Sequence, residues 1–256
     1  MKKVFAKIIS VGLILSMAGA MAGCTSKKSM TVKKGTLTMA TNAYFPPYEY
    51  YEGSKIVGID AEIAEAVAKK LDLELEIVDV EFASIIAGVQ SNKYDIGMAG
   101  MTVTDERKEA VNFSSTYATG IQAVIVTEDS PIADVDALLA GEYKVGVQEG
   151  TTGDIYMGDD VGEDRVVRFS KGNDAVLALS TGKVDAVVID NEPAKSFVAA
   201  NEGLKILPTA YVEEEYAMCI NKSNTELLDK INQALKELTD DGTIAAIIEK
   251  YIPSNG

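Results

Sequence analysis

Apolar and polar residues change rhythm along this chain in a regular order. From residue 36 onward, short apolar runs alternate with stretches whose apolar residues recur every three or four positions, so strands alternate with helices. Thr36 to Thr41 reads as a strand, and Asn42 to Tyr51, crowded with aromatics and prolines, as a loop. Asp60 is placed to cap a helix running to about Leu71, with Ile63, Val67 and Leu71 in one row. Leu73 to Val78 is a second strand; Ser84 is placed to cap a helix with Ile85, Ile86 and Val89 inward; Tyr94 to Ala99 is a third strand. Beyond it, strands are expected at Gln122 to Thr127, Tyr143 to Gln148, Val184 to Ile189 and Glu215 to Ile220. Helices are expected at Val135 to Leu139, after the turn Glu149-Gly150-Thr151-Thr152-Gly153, and at Asn173 to Thr181. An amphipathic helix, Thr225 to Thr239, turns Leu228, Ile231, Leu235 and Leu238 inward; Gly242 stops it, and a last helix reaches Tyr251. This alternation predicts layered α/β architecture with parallel strands.

The pattern repeats itself once. Ile86-Ala87-Gly88-Val89-Gln90-Ser91-Asn92-Lys93-Tyr94-Asp95 resembles Val176-Leu177-Ala178-Leu179-Ser180-Thr181-Gly182-Lys183-Val184-Asp185 at an offset of 90 residues. Each copy is a helix, a small polar turn with Lys, an Asp, then an apolar strand. At the same offset Gly100 falls on Asp190. Two similar α/β units would each deliver polar groups at the carboxyl end of a strand, where open α/β sheets bind ligands. Facing one another, they would enclose a cleft.

The start of the chain follows another logic. Lys2, Lys3 and Lys7 precede an apolar run from Ile8 to Met21, interrupted by Ser10, Gly12, Ser16 and Gly19, and Ala22 and Gly23 follow before Cys24. Residues 1–23 read as a secretion signal, too short and too interrupted for a membrane span. Residues 25–35 are polar and basic and read as a tether. The chain has 256 residues, 47% hydrophobic and 25% charged, with a formal net charge of −15. Such acidity excludes a basic nucleic-acid footprint but leaves a small-ligand pocket open. Only two cysteines occur, and Cys219, between Met218 and Ile220, reads as a small buried hydrophobe.

The chemistry available is narrow. The chain has no His, which removes His triads, His metal sites and the commonest general base. No P-loop or dinucleotide fingerprint is present, and no metal or cofactor is expected. What stands out is Ala99-Gly100-Met101-Thr102-Val103-Thr104-Asp105-Glu106-Arg107, a strand end, a Gly turn, hydroxyls and an Arg in a polar helix. Arg offers a planar fork that pairs a carboxylate with two parallel hydrogen bonds; alternatively, Thr104 simply caps a helix that carries Arg107 on its surface. Thr102 and the N–H groups after Gly100 would add donors, as would the turn at Thr151 and Thr152, a helix N-terminus. Asp190 would accept from an α-ammonium or cap the segment Asn191-Glu192-Pro193; Phe45 and Phe82 would wall a ligand or pack in the core.

In order along the chain, several segments resemble the polar amino-acid family of extracytoplasmic, periplasmic-type solute-binding lipoproteins of ABC importers. They are Ala40 to Tyr50 (Ala-Thr-Asn-Ala-Tyr-Phe-Pro-Pro-Tyr-Glu-Tyr), Val57-Gly58-Ile59-Asp60, Ala99 to Arg107, Val145 to Thr152, Asp185 to Asp190, Asn224 to Leu228 and Asp241-Gly242-Thr243. Met21-Ala22-Gly23-Cys24 resembles a lipobox, which implies cleavage before Cys24 and lipidation there, palmitate included; the alternative is an ordinary signal cleaved nearby that leaves a thiol. The resemblance implies two Rossmann-like lobes, residues 36–118 plus 219–256 and residues 122–214, joined by two crossing hinge strands. It implies a carboxylate clamp at Arg107, partners at Gly100 and Thr102, a further carboxylate donor at Thr152, an ammonium acceptor at Asp190, and walls at Phe45 and Phe82. Asn42 and Gln148 lie where the ligand side chain would be read. Family members that take a cationic side chain, and some that take glutamine, carry Asp where this chain has Asn42; the amide weighs against a simple Lys or His binder unless another carboxylate such as Glu49 supplies the charge, so the expected ligand is a free polar L-amino acid, uncharged or basic. A permease and its ATPase subunit are the expected partners of a monomer anchored outside the cell membrane at Cys24. Two other functions stay open: an amino-acid sensor, although such domains usually run on into a transmembrane segment, and a dehydratase-like enzyme, which the lack of His disfavours.

Overall fold

The computed structural model describes residues 29–253, so the leader, Cys24 and most of the tether lie outside the described residues. Two sheets carry the fold. The first has the order Glu74–Asp79, Thr36–Thr41, Ile96–Gly97, Cys219–Asn221, Val111–Phe113. Its first three strands are parallel, and Cys219–Asn221 enters antiparallel between its neighbours. The second has the order Val166–Phe169, Val145–Gln148, Ala186–Asp190, Ala118–Thr127, Leu204–Ile206, with Val212–Tyr216 also paired to Ala118–Thr127. The long strand Ala118–Thr127 carries the chain from the first sheet to the second, and Val212–Tyr216 brings it back antiparallel beside it. The result is a two-lobed α/β fold.

The helices cover both sheets with the apolar stripes their spacing implies. Helix Ile59–Lys70 buries Ile63 and Val67 completely, and helix Thr225–Asp240 buries Leu227, Ile231, Leu235 and Leu238. Each such side chain contributes roughly 1.5–3 kcal/mol on burial. Leu228, expected inward, packs only at the edge of that cluster. The repeated segment has one structural meaning in both copies. The Asp95 carboxylate accepts from the Thr38 N–H at 2.7 Å, and the Asp185 carboxylate accepts from the Lys144 N–H at 2.8 Å. Each Asp thus ties the start of its strand to the neighbouring strand, at equivalent places in the two sheets.

Three expectations are corrected. The segment expected as a loop from Asn42 to Tyr51 instead starts a small antiparallel sheet, Tyr44–Phe45, Glu49–Glu52 and Lys55–Val57, whose few ladder bonds are masked in sequence by prolines. The strand expected from Glu215 to Ile220 is two strands, broken where Ala217 leaves one sheet for the other. Asp60 does not cap its helix, since Gly58 takes the N-cap position, and Ser84, although the N-cap residue of helix Ile85–Gln90, makes no capping bond because its hydroxyl donates to the Glu81 carbonyl at 2.7 Å. Among the described residues no helix is long and apolar enough to cross a membrane.

Candidate functional site

The carboxyl ends of strands from both lobes face one narrow crevice. Asn42, Phe45, Phe82, Gly100, Thr102, Arg107, Gln148, Thr151, Thr152 and Asp190 all line it, together with Glu49 and Ala99. Every residue singled out in the sequence as a candidate ligand contact is therefore brought to the same place.

Arg107 sits on helix Asp105–Ala110, whose N-cap Thr104 accepts from the Arg107 N–H at 3.1 Å. The expected cap is real, yet the guanidinium is buried rather than solvated. It donates to the Thr102 carbonyl at 2.8 Å and, across the crevice, to the Gly150 carbonyl at 2.9 Å, and it lies 5.5 Å from the Phe82 ring centre. No carboxylate of the described residues pairs with it directly. Burial lowers its pKa, against a weaker opposing pull from Glu214. Two neutral carbonyls and a ring face satisfy part of the fork while leaving its charge uncompensated, which suits it to an arriving carboxylate.

The turn opposite is held rigidly. Thr151 caps helix Thr152–Val161 by accepting from the Asp154 N–H. The Asp154 carboxylate accepts from the Gly150 N–H at 2.9 Å and pairs with Arg168 at 2.7 Å. The Thr152 hydroxyl lies 3.4 Å from that of Thr102. Gln148 donates its amide across the crevice to Asn42 Oδ1 at 2.9 Å and to the Ser170 carbonyl at 3.2 Å.

The acidic side is more heavily built than the sequence suggested. Asp190 is the N-cap residue of helix Asn191–Ala200 without a capping side-chain bond, so its carboxylate is free for other work. Its Oδ2 accepts from the Gln122 amide at 2.8 Å, and its buried Oδ1 has no partner. Burial, then the neighbouring Glu214, raises its pKa well above the usual carboxylate range. Glu214 accepts from Thr102 Oγ1 and from Gln122 Nε2, both at 3.0 Å. It was missed in sequence because Glu213-Glu214-Glu215 reads as a solvated charge run. Strand alternation was the available signal: the middle residue of three points to the opposite face from its neighbours, and it alone is buried.

Asp60 and Glu49 form a second acidic group. Asp60 is wholly buried; its Oδ2 accepts from the Gly100 N–H and the Tyr117 hydroxyl, each at 2.8 Å. The Gly100 N–H is thus engaged within the lobe. Gly100 adopts φ 51°, and a Cβ there would lie 2.7 Å from the Phe45 ring. Gly58, at φ 125°, has the tighter constraint, since a Cβ would collide with the Tyr48 carbonyl. That close approach lets the Asp60 N–H bond the Tyr48 carbonyl at 2.9 Å and sets Glu49 beside Asp60. The two carboxyls are close enough to feel each other's charge, yet neither Glu49 oxygen nor Asp60 Oδ1 has a hydrogen-bond partner among the described residues. Burial raises Asp60 to about 6 despite the hydrogen bonds it accepts from Gly100 and Tyr117, and burial followed by the Asp60 charge raises Glu49 well above its ordinary value. Among the described residues no group of acids, Cys or His is disposed to hold a metal ion.

The comparisons with known proteins point one way. Residues 37–254 match the family of bacterial extracellular solute-binding proteins, family 3. The arginine-binding extracellular protein ArtP of Bacillus subtilis is 32% identical over 249 residues, covering 95% of this chain and 96% of that protein. An ancestral arginine-binding protein bound to glutamine is 39% identical, with a TM-score of 0.81 over 86% of this chain and 99% of its own. The arginine-, lysine-, histidine-binding protein ArtJ of Geobacillus stearothermophilus is 32% identical, with a TM-score of 0.80 over 85% of this chain and 95% of its own. A two-lobed fold, a crevice with a buried guanidinium on one side and carboxylates on the other, and a match along nearly the whole length make this chain a member of the bacterial extracellular solute-binding proteins, family 3, which capture polar amino acids for ABC importers and are not enzymes.

Proposed function

We propose that this protein captures a cationic L-amino acid, arginine foremost, between its lobes. The observation that carries this reading is Glu49: a carboxyl that lines the crevice, is wholly buried, and has neither oxygen facing an N–H or O–H donor of the described residues. A buried carboxylate without a cation costs several kcal/mol, so the missing partner is a charge that the ligand brings. Glu49 supplies what Asn42, an amide, does not. Arg107 takes the α-carboxylate with help from Thr102, Thr151, Thr152 and the start of their helix; Asp190 Oδ1 takes the α-ammonium; Phe45 and Phe82 flank the side chain; Asn42 and Gln148 read its tip. Relatives named for arginine support the choice of ligand.

In the same reading, lobe one comprises residues 36–118 and 219–256, and lobe two residues 122–214. The protein acts as a monomer, delivered by the leader and held to the membrane by lipid at Cys24, and hands its cargo to a permease driven by an ATPase subunit. Capture works by closure: contacts made by one ligand to both lobes exist only when the lobes meet, so ligand shifts the population toward the closed form. A thermal-shift screen of the protein against the twenty amino acids and citrulline tests the choice of ligand. Arginine is expected to give the largest rise, since ligand at a hundred times its Kd adds about 2.7 kcal/mol. A larger rise with glutamine or citrulline overturns the cationic reading.

A further inference from the structure

Glu49 and Asp60 meet where no cation reaches either of them. Both Glu49 oxygens and Asp60 Oδ1 lack an N–H or hydroxyl donor, while Asp60 Oδ2 already holds two. Two wholly buried neighbouring carboxyls with no cation at hand cannot both ionise, so one proton stays with the pair. The groups facing the pair from neighbouring elements do not change this. Tyr48 and Tyr117 are hydroxyls, both driven toward the protonated form by burial, and Tyr117 already donates to Asp60. Asp190, from the other lobe, is another acid and brings no cation, and Arg107, in the same crevice, donates to the carbonyls of Thr102 and Gly150 and to no carboxylate of the described residues. The pair therefore waits with one proton and one negative charge.

We infer that the Glu49–Asp60 pair exchanges this proton for the side-chain cation of the ligand. The inference rests on the cationic reading above and deepens it. As the guanidinium enters, the Glu49 O–H bond breaks, the proton leaves to solvent through the still-open mouth, and the freed carboxylate accepts from the guanidinium. The pair goes from one negative charge to two while the ligand side chain adds one positive, so the net charge buried in this corner stays at one negative. Holding a proton until the cation arrives avoids burying a second bare charge, and releasing it lets the cleft close around a neutralised corner. A neutral side chain of the same shape releases nothing from the pair. Asp190 also stands protonated more readily than an ordinary Asp, but it meets the α-ammonium, which every amino acid carries, so its contribution is common to all of them.

The test is isothermal titration of the protein with arginine and with citrulline, its neutral isostere, near pH 7 in buffers of low and high ionisation enthalpy. The buffer dependence of the heat counts protons. Arginine is expected to release about one proton more than citrulline. Its affinity relative to citrulline should rise by up to about tenfold per pH unit while the pair keeps its proton. Glutamine serves as a second neutral comparator. In Glu49→Gln, confirmed folded by a cooperative melt, the excess proton should vanish. Arginine that binds with the same proton count as the neutral ligands overturns the exchange and leaves the ligand assignment standing. Failure of arginine to bind overturns the ligand assignment itself, and the two results are told apart in one experiment on the unmodified protein.

Discussion

The two ends of the crevice are built on opposite principles. At the basic end Arg107 is a lone cation that neutral groups already serve: two carbonyls accept from it and a ring lies against it. At the acidic end Glu49, Asp60, Asp190 and Glu214 crowd together, and each keeps at least one buried oxygen without a donor. A buried acceptor left unpaired costs about 1–3 kcal/mol, more when charged. The basic end is thus partly served by neutral groups and keeps donors and charge for one carboxylate, whereas the acidic end is short of hydrogens and positive charge. An α-ammonium and a guanidinium together bring eight N–H donors and two charges, which is what that end lacks. The asymmetry teaches that selectivity lies with the acids, while the cation serves whatever amino acid arrives.

The hardest way to break this contrast is to remove the cation. Arg107→Ala is expected to weaken every amino-acid ligand alike, by tenfold to a hundredfold, since a hydrogen bond to a charged group is worth roughly 1.5–3 kcal/mol. Titration calorimetry with arginine and citrulline checks it; a loss confined to arginine would reverse the roles of the two ends. Glu49→Gln should do the opposite, lowering arginine affinity by about tenfold or more while narrowing the gap between arginine and citrulline.

A third measurement needs no ligand. Glu49, Asp60 and Asp190 all have raised pKa values in the folded protein, so between the unfolded and folded values the native state holds more protons than the unfolded one. Stability of the unliganded protein is then fullest below the ordinary carboxylate range, near pH 4, and falls as the pH rises through 6 and beyond. For Asp60 alone, the difference between 3.8 and about 6 amounts to something on the order of 3 kcal/mol at neutral pH. Melting temperature across pH 5 to 8 should fall, and Glu49→Gln should flatten the slope; a rise would contradict the buried acids. The smallest effects belong to the rim. Gln148→Ala removes one bond to Asn42, worth about 0.5–1.5 kcal/mol, and Lys171→Ala removes a cation 3.5 Å from the Tyr44 ring centre, worth about 0.5–1 kcal/mol. Faster arginine release in stopped flow, severalfold for the first and about twofold for the second, would show that both hold the lobes together.

Much of this was legible before any coordinates. Periodicity found the strand ending at Asp190 and the helix from Thr225, and the echo between residues 86–95 and 176–185 marked the two equivalent strand ties at Asp95 and Asp185. Ordered motifs located the residues that line the crevice. What stayed hidden were buried acids in polar disguise. Asp60 sits at the second position of a helix, where an Asp that caps, an Asp that answers the helix dipole and an Asp that is a core hydrogen-bond hub look alike. Glu214 hides in a run of three glutamates; Glu49 was visible as a possible charge, but not its burial, which depends on short strands that Gly58 lets come close. Local pattern reports which face a residue prefers; it does not report what crosses from another part of the chain to meet it.

The Gln148 amide belongs to both walls at once, grasping Asn42 on one side and the Ser170 carbonyl on its own. A movement of the second lobe away from the first therefore has to break or stretch the bond to Asn42. In the proposed transport role, a permease that twisted the lobes apart would load this bridge together with the Arg107 bond to Gly150, and unloading would become a matter of leverage.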